Sequence, residues 1–259
     1  MIEKITTAIP QLSGKRYKRR IYIYVPDSFQ EDDTLRYPVL YMFDGHNVFF
    51  DEDATYGKSW GMKDYLDYTQ AQVMVVGVEC NHRPPHKRLD EYAPFSFADS
   101  KFGKVTGKGK VTMDWMTGSL KEFIDENYPS LPDRDNTFLC GSSMGGLMTV
   151  YGVIAYNYIF SRGAALSPSL WTAPEKISQM IRKSELDENT VLYMDYGENE
   201  FRNHPQMKQT FLSINQVLLE KDVLMTTRIV PGGEHCEACW EKQLPIVMNT
   251  LLYDGNIEQ

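Results

Sequence analysis

A serine framed by glycines, five histidines and a set of carboxylates could together move an acyl group, and their order along the chain says how. Gly141-Ser142-Ser143-Met144-Gly145 follows the apolar run Thr137-Phe138-Leu139-Cys140 and leads into the helix-compatible Gly146-Leu147-Met148-Thr149-Val150-Tyr151. A serine hydroxyl is a poor nucleophile unless a tight strand-to-helix turn holds it toward a base. Glycines at 141 and 145 permit that turn, because a Cβ at either would collide with the neighbouring strand or helix. The start of the helix also brings backbone N–H groups and the positive end of its dipole to the place where a reacting carbonyl becomes negative. Ser143 is therefore the expected nucleophile, weighed against a glycine-rich turn that merely contains a serine.

Histidine is the side chain whose pKa suits a base near neutrality. Among His46, His82, His86, His204 and His235, only the last two follow Ser143, as the order nucleophile, acid, histidine requires. His235 ends the loop Pro231-Gly232-Gly233-Glu234, from which its ring can swing over a sheet edge, whereas His204 precedes Pro205 at a helix start and reads as structural. The acid that orients the imidazole belongs on the loop after the run at 191. Glu200 is the first choice, Asp195 the second and Glu198 the third. Two N–H groups should face the oxyanion: that of Met144 and one from Asp44-Gly45-His46, where Gly45 turns the backbone inward and His46 is the donor, with Asn47 as the fallback.

The elements that must position these groups are legible as short β-branched runs at 21–25, 39–43, 73–78, 137–140, 163–166, 191–196 and 226–230. From the second run on they resemble buried strands of a mostly parallel sheet. Helix-period segments lie between them, including 113–128, with Trp115, Leu120, Phe123 and Ile124 on one side, and 206–220, with Phe211, Ile214, Val217 and Leu218. This alternation predicts one doubly wound α/β domain over 1–259, with helices on both faces of the sheet and ligands beyond the carboxyl ends of the strands. The segment 95–110, rich in glycine and lysine, reads as a mobile loop over that rim.

Thirty-five acidic against 27 basic residues give a net charge of −8, which disfavours nucleic acid and anionic membranes as partners. The basic cluster of Lys15, Arg16, Lys18, Arg19 and Arg20 reads as the solvated end of a strand. No signal peptide or membrane span is apparent, so a cytoplasmic protein is expected; a homo-oligomer is left open. The four cysteines do not form a disulfide framework. Cys236-Glu237-Ala238-Cys239 directly follows His235, but it lacks the second ligand pair of a zinc site and the place of a redox motif, opening a helix after an early strand. Neither metal nor cofactor is expected there.

Taken together, Phe43-Asp44-Gly45-His46-Asn47-Val48-Phe49, Gly77-Val78-Glu79, Gly141-Ser142-Ser143-Met144-Gly145-Gly146, Ser167-Pro168-Ser169-Leu170-Trp171, Gly197-x-x-Glu200 and Gly232-Gly233-Glu234-His235 with Trp240 resemble one family. It is the esterase family of α/β-hydrolases that includes esterase D-like enzymes, feruloyl and acetylxylan esterase domains, enterobactin esterases and the antigen 85 mycolyltransferases. The resemblance spans about residues 20–251. It implies an α/β-hydrolase fold and a serine carboxylesterase without cofactor, with Ser143, Glu200 and His235 as triad, acting on a small-molecule ester. Glutamate stands where many members carry aspartate, and the Cys236 and Cys239 pair is not a family feature. Phe49, Tyr92 and Trp171 are expected to wall the pocket, with Arg88 facing an anionic or polar substrate group. An acyltransferase of the antigen 85 type and a catalytically silent binding protein are the alternatives.

Overall fold

The computed structural model describes residues 1–253. One eight-stranded sheet carries the domain. Its strands are β1 (Ile2–Ala8), β2 (Lys18–Tyr24), β3 (Val39–Phe43), β4 (Met74–Val78), β7 (Thr137–Ser142), β8 (Arg162–Leu166), β9 (Val191–Gly197) and β10 (Leu224–Val230), and a separate hairpin is formed by β5 (Phe97–Asp99) and β6 (Gly103–Val105). The order across the large sheet is β1-β2-β4-β3-β7-β8-β9-β10. β2 runs antiparallel to both of its neighbours, and from β4 to β10 every pairing is parallel.

Both faces of the sheet are covered, as a parallel sheet requires. Successive strand residues point to opposite sides, so Ile23, Tyr41, Phe43, Leu139, Met194 and Tyr196 join one apolar cluster, while Tyr24, Leu40, Met42, Phe138, Cys140 and Tyr193 join the other. The first cluster includes residues of the helices Met144–Ala155, Pro174–Lys183 and Pro205–Leu219, the second those of Met62–Thr69 and Leu244–Leu252. A doubly wound α/β-hydrolase architecture is thereby formed.

Several expectations are corrected. The helix read at 113–128 begins at Gly109 and is broken at Met116–Leu120 by a π-helical stretch, before continuing as Lys121–Asn127. The wider turn shifts the register, and Phe123 turns to the surface while Leu120 and Ile124 stay buried. The 95–110 segment is not structureless. It forms the β5–β6 hairpin, with Val105 buried and Phe95, Phe97 and Phe102 packed against the larger core. Its glycines and lysines sit mainly at the turn and beyond β6. Nor is the basic cluster uniformly solvated: Arg19 is buried against Glu91, with Nη1 to Oε2 at 2.7 Å, and Arg20 bridges Glu79 and Asp53.

Candidate active site

Ser143 sits between the end of β7 and the first residue of the helix Met144–Ala155, with φ 59° and ψ −122°. This is a strained conformation for a side chain larger than hydrogen. The elbow closes because Gly141 and Gly145 touch: a Cβ on Gly141 would lie 2.7 Å from the carbonyl carbon of Gly145. Hydrogen bonds from Ser143 N–H to Leu166 O (2.9 Å) and from Ser169 N–H to Ser143 O (2.9 Å) tie the turn to the end of β8. The side chain is half-buried, and its hydroxyl has no hydrogen-bond partner among the described residues.

The loops after β9 and β10 bring Glu200 and His235 together. Glu200 is the third residue of the helix Glu198–Asn203, and its Oε1 accepts the N–H of Gly197 (2.9 Å) and the hydroxyl of Ser167 (2.6 Å). Its Oε2 lies 2.6 Å from His235 Nδ1. Burial alone would push this carboxyl up. The hydrogen bond and charge of His235, with help from Ser167 and Gly197, outweigh that and hold it below the usual range. The His235 ring is partly open to solvent and packs edge-on against Trp240, whose indole N–H donates to Ser167 Oγ (3.1 Å). A buried chain of Trp240, Ser167 and Glu200 thus fixes the imidazole from behind.

The other two acid candidates lie elsewhere. Asp195 points back along β9 to accept the Tyr193 hydroxyl (2.6 Å), and burial raises its pKa to about 6. Glu198 is on the surface with Arg202 (2.6 Å) and the N–H of Gly232 (3.0 Å). His204 is exposed at a helix start.

After β3, Asp44 adopts a left-handed conformation with φ 57° and opens the 3₁₀ turn Gly45–Asn47. Gly45 packs directly on the backbone of Gly77 and Val78, leaving no room for a Cβ. The first bond of the turn runs from Asn47 N–H to Asp44 O (2.7 Å). That commits the Asn47 donor, whereas the N–H of His46 precedes the first donor that the turn uses. Met144 likewise opens its helix, so its N–H has no intrahelical acceptor.

The residues expected to wall the pocket make contacts of their own. Arg88 grips Asp44 in a bidentate pair, Nε to Oδ1 at 2.7 Å and Nη2 to Oδ2 at 2.6 Å, which also holds Asp44 in its charged form although burial opposes this. Tyr92 is buried beneath that pair, its hydroxyl accepting the N–H of Asp44 (3.1 Å), and Phe49 is buried against Tyr22. Trp171 is half-exposed on the rim, edge-on to Phe97 of the hairpin at 5.8 Å, and Arg88 is also part-exposed. The sequence reading gave no role to Ser167 or to Glu237. Glu237 is buried, accepts the Asn47 amide (3.2 Å) and is pushed up by burial. The position of Ser167 just past β8, on the rim that carries Ser143, was the available signal; nothing in the local sequence marks Glu237. Cys236 and Cys239 are free thiols, with the N–H of Glu234 donating to Cys239 Sγ (3.3 Å).

Residues 15–248 match the family model described as "Putative esterase". The chain belongs to this esterase family. Membership makes it a carboxylic ester hydrolase. Its relatives include an uncharacterized protein, YbbA of Bacillus subtilis, 25% identical over 214 residues that cover 80% of each chain. Among solved structures, an IroE-like serine hydrolase from Shewanella oneidensis superposes with a TM-score of 0.74 at 17% identity, covering 96% of this chain and 78% of that one. The siderophore hydrolase EstA from Aspergillus nidulans gives 0.68 at 13% identity, with 96% and 94% covered. These structures share the esterase's α/β-hydrolase fold.

Proposed function

We propose that the esterase works through a serine acyl-enzyme. Ser143 Oγ attacks the ester carbonyl and its proton passes to Nε2 of His235, while the developing oxyanion is met by the N–H groups of Met144 and His46. Collapse of the tetrahedral adduct expels the alcohol, which takes the proton from His235. Water then enters by the same route in reverse and releases the acid. Glu200 keeps the Nδ1–H tautomer in place and stabilises the imidazolium. The observation that carries this reading is the 2.6 Å contact between Glu200 and His235 Nδ1, on the rim where Ser143 stands in its strained turn. The link from Ser143 to His235 is part of the proposal; such bonds often tighten only once substrate is bound.

For substrate we propose a small or aryl carboxylic ester, favoured by the half-exposed Trp171 and its contact with Phe97. Two structural relatives are described as a ferulic acid esterase and a siderophore hydrolase, names that point to the same class. A panel of p-nitrophenyl, aryl-cinnamoyl and siderophore trilactone esters ranks the candidates. Labelling by a fluorophosphonate probe, lost in Ser143→Ala together with at least about 10³-fold of kcat, supports the mechanism. Hydrolysis that survives Ser143→Ala in a folded protein refutes it.

A further inference from the structure

Behind the oxyanion loop, the residue that ends one strand's loop meets two from the next. His46 follows β3; Cys80 and His82 follow β4, in the segment Glu79-Cys80-Asn81-His82. One ring nitrogen from each histidine and the Cys80 sulfur all lie within 4.8 Å of one another, and Cys80 Sγ is 4.0 Å from His82 Nδ1. The two imidazoles meet edge to face with ring centroids 4.3 Å apart. The esterase chemistry uses none of these three side chains; only the backbone of His46 enters it.

Their outer partners are arranged as metal ligands require. A ligating histidine usually presents one nitrogen to the ion and secures the other with a hydrogen bond. Nε2 of His46 is 3.0 Å from Thr55 Oγ1, and Nε2 of His82 is 3.4 Å from Glu79 Oε1, itself anchored by Arg20. Nδ1 of His82 is on the side of Cys80. Nδ1 of His46 is buried, with no hydrogen-bond partner, in a residue that is only 3% exposed. A buried imidazole nitrogen without a partner costs stability unless something fills its place. Water or a metal ion satisfies it, and a thiol with two imidazoles is a donor set suited to a borderline-soft ion.

We propose that His46, Cys80 and His82 form a binding site for a zinc-class divalent cation, and that an ion held there restrains the oxyanion loop and slows the esterase. Binding replaces the Cys80 S–H bond by a metal–thiolate bond and releases that proton to solvent. The fourth position opens to water beside the exposed His82. In a tetrahedral site, Zn–S near 2.3 Å and Zn–N near 2.0 Å place the donors roughly 3.5 Å apart. Donors that lie within 4.8 Å of one another must therefore draw together by up to about 1.3 Å, and in this proposal His46 shares in the movement. A displacement of that size at a catalytic group can cost up to about 10²-fold in rate. The inhibitory half rests on the oxyanion role of the His46 N–H; the binding half does not.

The test is a calorimetric titration of the reduced, metal-stripped protein with zinc, paired with cobalt binding followed by its thiolate-to-cobalt absorption. One equivalent per chain is expected. His82→Ala, at an exposed ring, should weaken binding at least about tenfold, and Cys80→Ser should abolish the thiolate band. Cys236→Ser with Cys239→Ser controls for the other thiols and should leave both readouts intact. No stoichiometric binding, or binding lost in that double variant and retained in His82→Ala, overturns the site. Zinc should also lower kcat/KM about tenfold or more, reversibly with EDTA, in wild type but not in His82→Ala. Binding without inhibition overturns the coupling to the oxyanion loop alone.

Discussion

Glu200→Gln isolates the charge of the proposed acid from its shape. In the native site Oε1 accepts two hydrogen bonds, from Gly197 N–H at 2.9 Å and Ser167 Oγ at 2.6 Å, and Oε2 faces Nδ1 of His235 at 2.6 Å. Glutamine can keep its carbonyl oxygen on Gly197 and Ser167, so folding stability should fall by no more than about 1 kcal/mol. Its NH2 group then faces His235, where it can only donate. The imidazole must answer by accepting at Nδ1, which puts its proton on Nε2 and leaves no lone pair for Ser143. Loss of the working tautomer, together with loss of the charge that stabilises the imidazolium, costs about 10³ to 10⁴ in kcat in comparable triads. That is roughly 4–5.5 kcal/mol of barrier. Steady-state hydrolysis of a p-nitrophenyl ester should show this fall in kcat with KM little changed, while a parallel thermal melt shows a near-native transition. Glu200→Ala provides the contrast, because it also leaves the Gly197 N–H and the Ser167 hydroxyl unpaired and should lower the melt further. If Glu200→Gln keeps more than a tenth of the activity, the acid has been misassigned.

Asp195→Asn separates the second-choice acid from the first and reports on pH. A carboxyl raised to about 6 from 3.8 favours the folded state below pH 3.8 and loses that contribution as pH rises through 6, about 3 kcal/mol in all. The variant should therefore melt higher than wild type at pH 8, with the advantage gone near pH 4, and should keep most of its activity; a loss exceeding that of Glu200→Gln would move the acid to Asp195. Arg88→Ala strands the buried Asp44 carboxylate and should cost about 3–5 kcal/mol of stability, partly recovered by adding Asp44→Asn. An unchanged melt with a raised KM for anionic esters would instead return Arg88 to the substrate pocket.

What local pattern could carry, the sequence carried. All seven β-branched runs are strands of the one sheet. The five from β3 to β9 are the buried parallel strands that need continuous apolar residues, whereas β2 is antiparallel and β10, expected to be buried, is an edge strand with no buried residue. Besides the β5–β6 hairpin, the missed strand is β1, an edge strand whose Glu3, Lys4, Thr6 and Thr7 blur the alternation. Glu200 and His235 were named from chain order and loop position, and they meet. The pocket list is a different matter, with Phe49 and Tyr92 buried and Arg88 paired with Asp44. Where Arg88 and Tyr92 lie depends on Asp44 turning inward in a left-handed conformation, which no periodicity in the segment records. Glu237 and the His46, Cys80 and His82 cluster are also products of tertiary placement, since separate loops deliver their members.

The positive φ of Ser143 reaches beyond catalysis into how such a protein can change over time. A side chain held in that region costs of the order of 1–3 kcal/mol, and glycine would occupy the same turn without it. Stability and reactivity are therefore opposed at one codon. In a lineage that no longer needs turnover, replacing the serine by glycine relaxes the turn and leaves the sheet, the helices and the rim loops standing. Inactive descendants on this fold are then reached downhill in folding energy, and continued retention of serine at this turn records continued selection for the reaction.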